Sequence, residues 1–145
     1  MNIHVAKCKR KLSALWFTGA GILFFVLLIQ TIFGRYGDRS SEAWSWFLPT
    51  IMPTLSLVIG VLVMDVLEKG VKTIEVDTFL FKLTFGISLA YLIAVLLLFL
   101  LQPFTTVSPF ELMNLSNLWL GPFQGLVAAT MGAFFVKSSE GSQEP

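Results

Sequence analysis

The feature that most constrains this 145-residue chain is a set of four long windows without Asp, Glu, Lys or Arg. The windows are residues 12–33, 44–64, 83–102 and 112–136. A helix of about 20 residues, rising about 1.5 Å per residue, crosses a hydrocarbon core of ~30 Å. Backbone groups in lipid need hydrogen-bond partners within their own segment, so each window is expected to be helical.

These windows predict an all-α integral membrane protein whose four transmembrane helices form a bundle. Composition agrees, because hydrophobic residues reach 55% and charged residues fall to 13%, against about 25% charged residues in soluble domains. Within a membrane domain at residues 12–136, the spans are predicted at about 12–33, 44–64, 80–102 and 117–136. A basic tail at 1–11 precedes this domain, and a polar tail at 137–145 follows it.

The distribution of positive charge predicts the orientation. Eight of the ten Lys and Arg residues lie in the two tails, between spans two and three, or at the start of span three. Only Arg35 and Arg39 lie on the opposite side. Because Lys and Arg are enriched in cytoplasmic loops, both termini are expected in the cytoplasm, with the protein in a plasma or bacterial inner membrane.

Two spans carry stripes of small residues at four-residue spacing. Apolar helices in lipid associate through close backbone approach at small residues, so these stripes are helix-packing candidates. The stripes could face each other, or one could face a second copy of the chain. They consist of Gly86, Ala90 and Ala94 in span three, and Gly121, Gly125, Ala129 and Ala133 in span four.

Span two contains two prolines, Pro49 and Pro53, beside Thr50 and Thr54. Proline removes a backbone donor and disturbs the preceding helical turn, which predicts a kink. The hydroxyls can satisfy the freed backbone groups. A kinked helix with a hydroxyl face could line a pathway, and a bent helix packed in a bundle is the simpler alternative.

Polar residues near the outer ends of the spans suggest two further features. Ser108, Pro109 and Glu111 form a helix-start pattern, with Ser as N-cap and Glu three residues later. This pattern predicts a short interfacial helix before the fourth span, with a re-entrant segment as the alternative. Gln30 and Gln124 both lie toward the outer halves of their spans, where they could hydrogen-bond each other.

The residues needed for catalysis are scarce. One His and one Cys make a zinc site or a Cys–His nucleophile improbable. No phosphate-binding loop or nucleophile elbow is present. We therefore expect neither an enzyme nor a cofactor, and a net charge of +1 gives no reason to expect nucleic acid.

Two functional classes fit these features, and the lipid bilayer is a partner in both. The first is a homo-oligomeric channel-like or membrane-perturbing module that moves ions or small solutes without an intramembrane charge. Such an assembly follows because one small bundle encloses little volume. The second is a non-transporting anchor or assembly subunit. It would dock a cytoplasmic protein through its basic tail and through the loop between spans two and three, at residues 65–77, called the inner loop.

Overall fold

A computed structural model of the chain describes residues 2–67 and 75–140. The helices are α1 (Val5–Ile32), α2 (Ser40–Leu67), α3 (Thr78–Leu101) and α4 (Pro109–Glu140). The strands β1 (Asn2–His4) and β2 (Glu75–Asp77) pair antiparallel. All four helices are long and apolar enough to cross a membrane, which confirms the prediction of an all-α chain with four candidate spans.

The helix ends follow from local chemistry. The Asp77 carboxylate accepts a hydrogen bond from the Phe79 backbone N–H at 3.0 Å and caps α3. The Ser108 hydroxyl accepts one from the Glu111 N–H at 3.2 Å, so the predicted N-cap of α4 is confirmed. The turn between α1 and α2 contains Gly34 (φ 69°) and Gly37 (φ 52°), backbone conformations that residues with a Cβ rarely adopt.

The four helices form a ring in the order α1, α2, α4, α3, and each helix packs against two neighbours. α1 and α2 form one antiparallel hairpin, and α3 and α4 form the other. α2 and α3 are therefore diagonally opposite, although they are consecutive in the chain. The segment that joins them includes β2, which lies beside β1 and also contacts α4.

The fourth helix differs from its prediction. α4 is continuous over 32 residues from Pro109 to Glu140. The segment expected to form a separate interfacial helix is instead the first turns of α4. Hydrogen bonding explains the difference. The Leu112 N–H already donates to the Ser108 carbonyl oxygen at 2.9 Å, and the helix that starts there continues without interruption.

The helices also extend beyond the predicted spans. α1 begins at Val5 and takes up most of the segment expected to be a basic tail, and α4 continues through Glu140. The inner loop was predicted as a docking surface, but its residues 68–74 lie outside the described part of the chain.

Candidate functional site

The hydroxyl face of α2 points into the bundle. Thr50 and Thr54 are buried, whereas Pro49 and Pro53 are exposed on the outer side of the same turns. The four pathway or kink candidates therefore do not share one surface. The proline rings lie on the outer surface of the bundle, and the threonine side chains are buried against the other helices.

The backbone of α2 near these prolines is held by two other helices. Proline has no N–H, so Pro53 leaves the Pro49 carbonyl oxygen without the donor that a regular helix supplies. The Gln124 side-chain nitrogen on α4 lies 3.3 Å from that oxygen and 3.2 Å from the Thr50 carbonyl oxygen. The Tyr91 hydroxyl on α3 donates to the Thr50 carbonyl at 2.9 Å. Three helices thus meet at one turn of α2.

The threonine hydroxyl itself is used locally. The Thr50 hydroxyl donates to the Trp46 carbonyl oxygen, one turn earlier, at 2.7 Å. The acceptors freed by the two prolines are the Ser45 and Pro49 carbonyl oxygens, four residues before each proline. The Thr50 bond therefore does not serve as the expected replacement. Gln124 donates to the freed Pro49 oxygen instead, and the sequence alone gave no signal that Gln124 or Tyr91 would reach α2.

Aromatic rings fill the centre of the bundle. Trp16, Tyr91, Phe99 and Phe134 are among the largest fully buried side chains. Trp16 packs on Tyr91 with ring centroids 6.1 Å apart, and Trp46 meets Phe99 edge to face at 5.7 Å. Such pairs stabilise a core beyond their buried area. The interior of a single copy is therefore packed with side chains rather than arranged around a polar lumen.

Three buried polar atoms have no hydrogen-bond partner among the described residues. They are the indole nitrogens of Trp16 and Trp46 and the hydroxyl oxygen of Ser88. A buried donor without a partner costs about 1–3 kcal/mol. All three atoms lie in the interior of the bundle.

At the end of the bundle that holds the turn between α1 and α2, Tyr36 joins three parts of the chain. Its hydroxyl lies 2.6 Å from the Gln30 side-chain oxygen and 3.3 Å from that of Gln102. Its ring meets Phe110 edge to face at 5.9 Å, and the Arg39 guanidinium stacks over the same Phe110 ring at 4.0 Å. Burial raises the pKa of the Tyr36 hydroxyl, and the Gln102 hydrogen bond partly opposes this.

The pairing of Gln30 with Gln124 was predicted wrongly. Gln30 bonds Tyr36, while Gln124 bonds the α2 backbone. Gln30 has its partner in the turn that follows α1, and Gln124 has its partners on the adjacent helix α2.

The small-residue stripes of α3 and α4 lie on the outside of the bundle. Gly86, Ala90, Gly121, Gly125, Ala129 and Ala133 are exposed, and Ala94 is partly exposed. A Cβ added at Gly86, Gly121 or Gly125 would meet no atom within 4 Å. The stripes therefore do not face each other within one copy.

Gly19 is the glycine at which two helices approach closely. A Cβ at Gly19 in α1 would lie 2.6 Å from the Leu92 Cδ1 atom of α3. Between α3 and α4, the Thr84 hydroxyl lies 3.3 Å from the Thr130 carbonyl oxygen. In the sequence, Gly19 looks like the neighbouring Gly21, and only the packed structure separates them.

The opposite end of the bundle carries a small cap, formed by β1, β2 and the first turn of α1. Val76 of β2 is buried, and Cys8 of α1 is 1% exposed beneath the cap. The Lys9 ammonium forms an ion pair with the Asp65 carboxylate of α2 at 2.7 Å. Lys7, Lys11 and neighbouring Arg10 remain exposed. Much of the predicted basic tail is thus part of a folded surface.

Within residues 2–67 and 75–140, no cluster of His, Cys, Asp and Glu has the arrangement needed to hold a metal ion. The groups that meet in the bundle are backbone carbonyls, side-chain amides, hydroxyls and aromatic rings, and they join one helix to another. Comparisons of the chain with known protein families, curated proteins and solved structures find no match.

Proposed function

We propose that this chain is a non-conducting membrane anchor or assembly subunit that docks a cytoplasmic protein at its N-terminal end. The observation that carries the proposal is the use of the α2 polar groups. Tyr91 of α3 and Gln124 of α4 both donate to the Thr50 carbonyl oxygen of α2, beside a core filled with aromatic rings. These polar groups hold helices together, and side chains fill the described interior of a single copy, which favours a structural role over transport.

The cap supplies the docking surface in this proposal. Lys7 and Lys11 lie one helical turn apart and are both exposed, so they share one face of α1. The Lys9–Asp65 ion pair and the β1–β2 pairing hold that face in place. A fixed positive surface of this kind suits an acidic patch on a cytoplasmic partner. The distribution of Lys and Arg supports placing this end in the cytoplasm.

A second candidate is a homo-oligomeric pathway, and the outward stripes of α3 and α4 favour it. Gly86 and Gly125 leave room for a neighbouring helix to approach closely. Any pathway would then run between copies. Its walls would be neutral and largely apolar, so conduction would depend on wetting of apolar constrictions.

Flux measurements on purified protein in liposomes separate the two candidates. An anchor should leave vesicles sealed to ions and to a small dye, whereas a pathway should release one of them. The matched variant Gly86→Leu should abolish a leak that runs between copies, and it should leave an anchor unchanged.

Site-specific photo-crosslinking in cells tests docking directly. A photoreactive residue at Lys7 or Lys11 should give a discrete heteromeric product, and the same residue at Ser41, at the opposite end of the bundle, should give none. Sealed liposomes without a product specific to Lys7 or Lys11 would refute the anchor proposal.

A further inference from the structure

An apolar groove of about 300 Å³ opens on the outer surface of the bundle between α1 and α2. None of its lining belongs to the polar contacts that join the helices. In a chain with four membrane-length helices, such an outward groove faces acyl chains. Its lining residues are Phe17, Ile59, Leu62, Val63, Val66 and Leu67.

The groove lies at the end of the bundle that carries the cap. On α2 the lining residues recur every three or four positions and reach Leu67, the last residue of the helix. Asp65 belongs to the same turn and pairs with Lys9 near the start of α1. The end of the groove near Leu67, called its lower end, is therefore level with the first turns of α1. The membrane interface is expected at this level.

A basic side chain lies on the groove side of α1. Arg10 precedes Phe17 by seven residues, or about two turns, so both project from the same face. Arg10 is exposed and forms no ion pair with any residue in the described part of the chain. The nearby Asp65 charge is already matched by Lys9. Among the described residues at this end of the groove, Arg10 therefore carries a positive charge without an acidic partner.

We propose that this groove binds one acyl chain of an anionic phospholipid whose phosphate is held by Arg10. The rise from Arg10 to Phe17 is about 10 Å, which matches the distance from a headgroup phosphate into the upper hydrocarbon region. A guanidinium bonds phosphate oxygens in a bidentate manner. Basic pockets between membrane helices near the interface recognise such headgroups.

Arg10 and the two docking lysines have separate tasks. At about 100° per residue, Lys7 projects about 60° and Lys11 about 100° away from the direction of Arg10. Lipid binding at the groove is therefore independent of whether the cap docks a protein or copies of the chain form a pathway.

Native mass spectrometry of the purified protein tests the proposal with phosphatidylglycerol and phosphatidylcholine carrying identical acyl chains. The protein should retain one phosphatidylglycerol in preference to phosphatidylcholine. Arg10→Gln should reduce that preference about fivefold, the effect of one basic side chain at an anionic surface. The matched control Lys11→Gln removes a charge from the same helix on another face and should leave the preference nearly unchanged.

Filling the groove tests the acyl-chain site separately from the charge. Val63→Trp should reduce binding of both lipids, and Val66→Phe serves as a second filling variant if the first does not fold. An equal loss from Arg10→Gln and Lys11→Gln would show diffuse charge attraction and overturn the site. Undiminished binding in a folded filling variant would also overturn it.

Discussion

The side-chain amide of Gln124 donates a hydrogen bond to the carbonyl oxygen of Pro49, at 3.3 Å. This oxygen is the acceptor that lacks a helical donor because residue 53 is proline. A side chain on α4 therefore replaces a backbone bond that α2 lost, and it couples the two helices at the point where α2 departs from regular hydrogen bonding.

Gln124→Leu should destabilise the bundle by about 1–2 kcal/mol, since it leaves the Pro49 carbonyl without a donor in a span that is expected to lie in lipid. Pro53→Ala returns a backbone N–H to α2. In that background, the cost of Gln124→Leu should fall to about half or less. Thermal unfolding of all four proteins in detergent gives the coupling. Equal costs in both backgrounds would show that Gln124 does not compensate for the proline.

Gly19→Leu should destabilise the packed chain by about 1–3 kcal/mol, because its side chain enters space already occupied by Leu92. Leu92→Ala should recover part of the loss. Gly86→Leu is the matched control, with the same change at a glycine whose added Cβ meets nothing within 4 Å. It should leave the unfolding temperature nearly unchanged, so a larger loss at Gly86 than at Gly19 would contradict the observed helix order.

Tyr36→Phe should cost about 1 kcal/mol at neutral pH by removing the hydroxyl that joins Gln30 and Gln102. The pKa of Tyr36 is raised in the folded protein, so the unfolded chain loses this proton first, at pH near 10. The stability from the neutral hydroxyl is therefore present below about pH 10 and declines as pH rises toward the folded pKa.

The measurement for Tyr36 is the difference in unfolding temperature between wild type and Tyr36→Phe from pH 7 to pH 11. That difference should shrink as the pH passes 10. A difference that stays constant or grows across this range would show that the hydroxyl is not held neutral in the folded chain.

Cys8 reports on the cap. Its thiol is 1% exposed, so a maleimide should label it slowly in the folded protein. Asp65→Asn breaks the ion pair with Lys9 and should increase the labelling rate several-fold by loosening the first turn of α1. Glu42→Gln, which breaks the exposed ion pair with Arg39 at the other end, should leave the rate unchanged.

The predicted orientation is tested with single cysteines in a Cys8→Ser background. Ser138 would be the obvious probe from the sequence, but it is buried, and its hydroxyl bonds the Phe135 carbonyl. Glu140 is exposed and replaces it. An impermeant maleimide should label Ser41→Cys on intact cells and Glu140→Cys only after permeabilisation. Labelling of Glu140→Cys on intact cells, with Ser41→Cys labelled only after permeabilisation, would show the opposite orientation.

The number of long helices and the cap at Ser108 follow from the sequence. The four uncharged windows predict four helices, because a backbone in lipid satisfies its own hydrogen bonds. Ser108 caps α4 as its spacing predicts, and the kink candidates do coincide with a turn of α2 whose backbone needs outside donors. These features involve residues within one or two turns, for which the local sequence contains the necessary information.

The tertiary structure alone decided which side of each helix faces inward. In water, an apolar stripe marks the buried face, but in lipid both faces of a helix are apolar, so hydropathy carries little directional signal. Glycine stripes are equally ambiguous: Gly19 meets Leu92, whereas Gly86 meets nothing. The threonines of α2 face inward, and the stripes of α3 and α4 face outward. Both orientations depend on contacts between residues that are far apart in the chain, such as the Tyr91 hydroxyl with the Thr50 carbonyl oxygen. These contacts form only once the four helices are assembled in their ring.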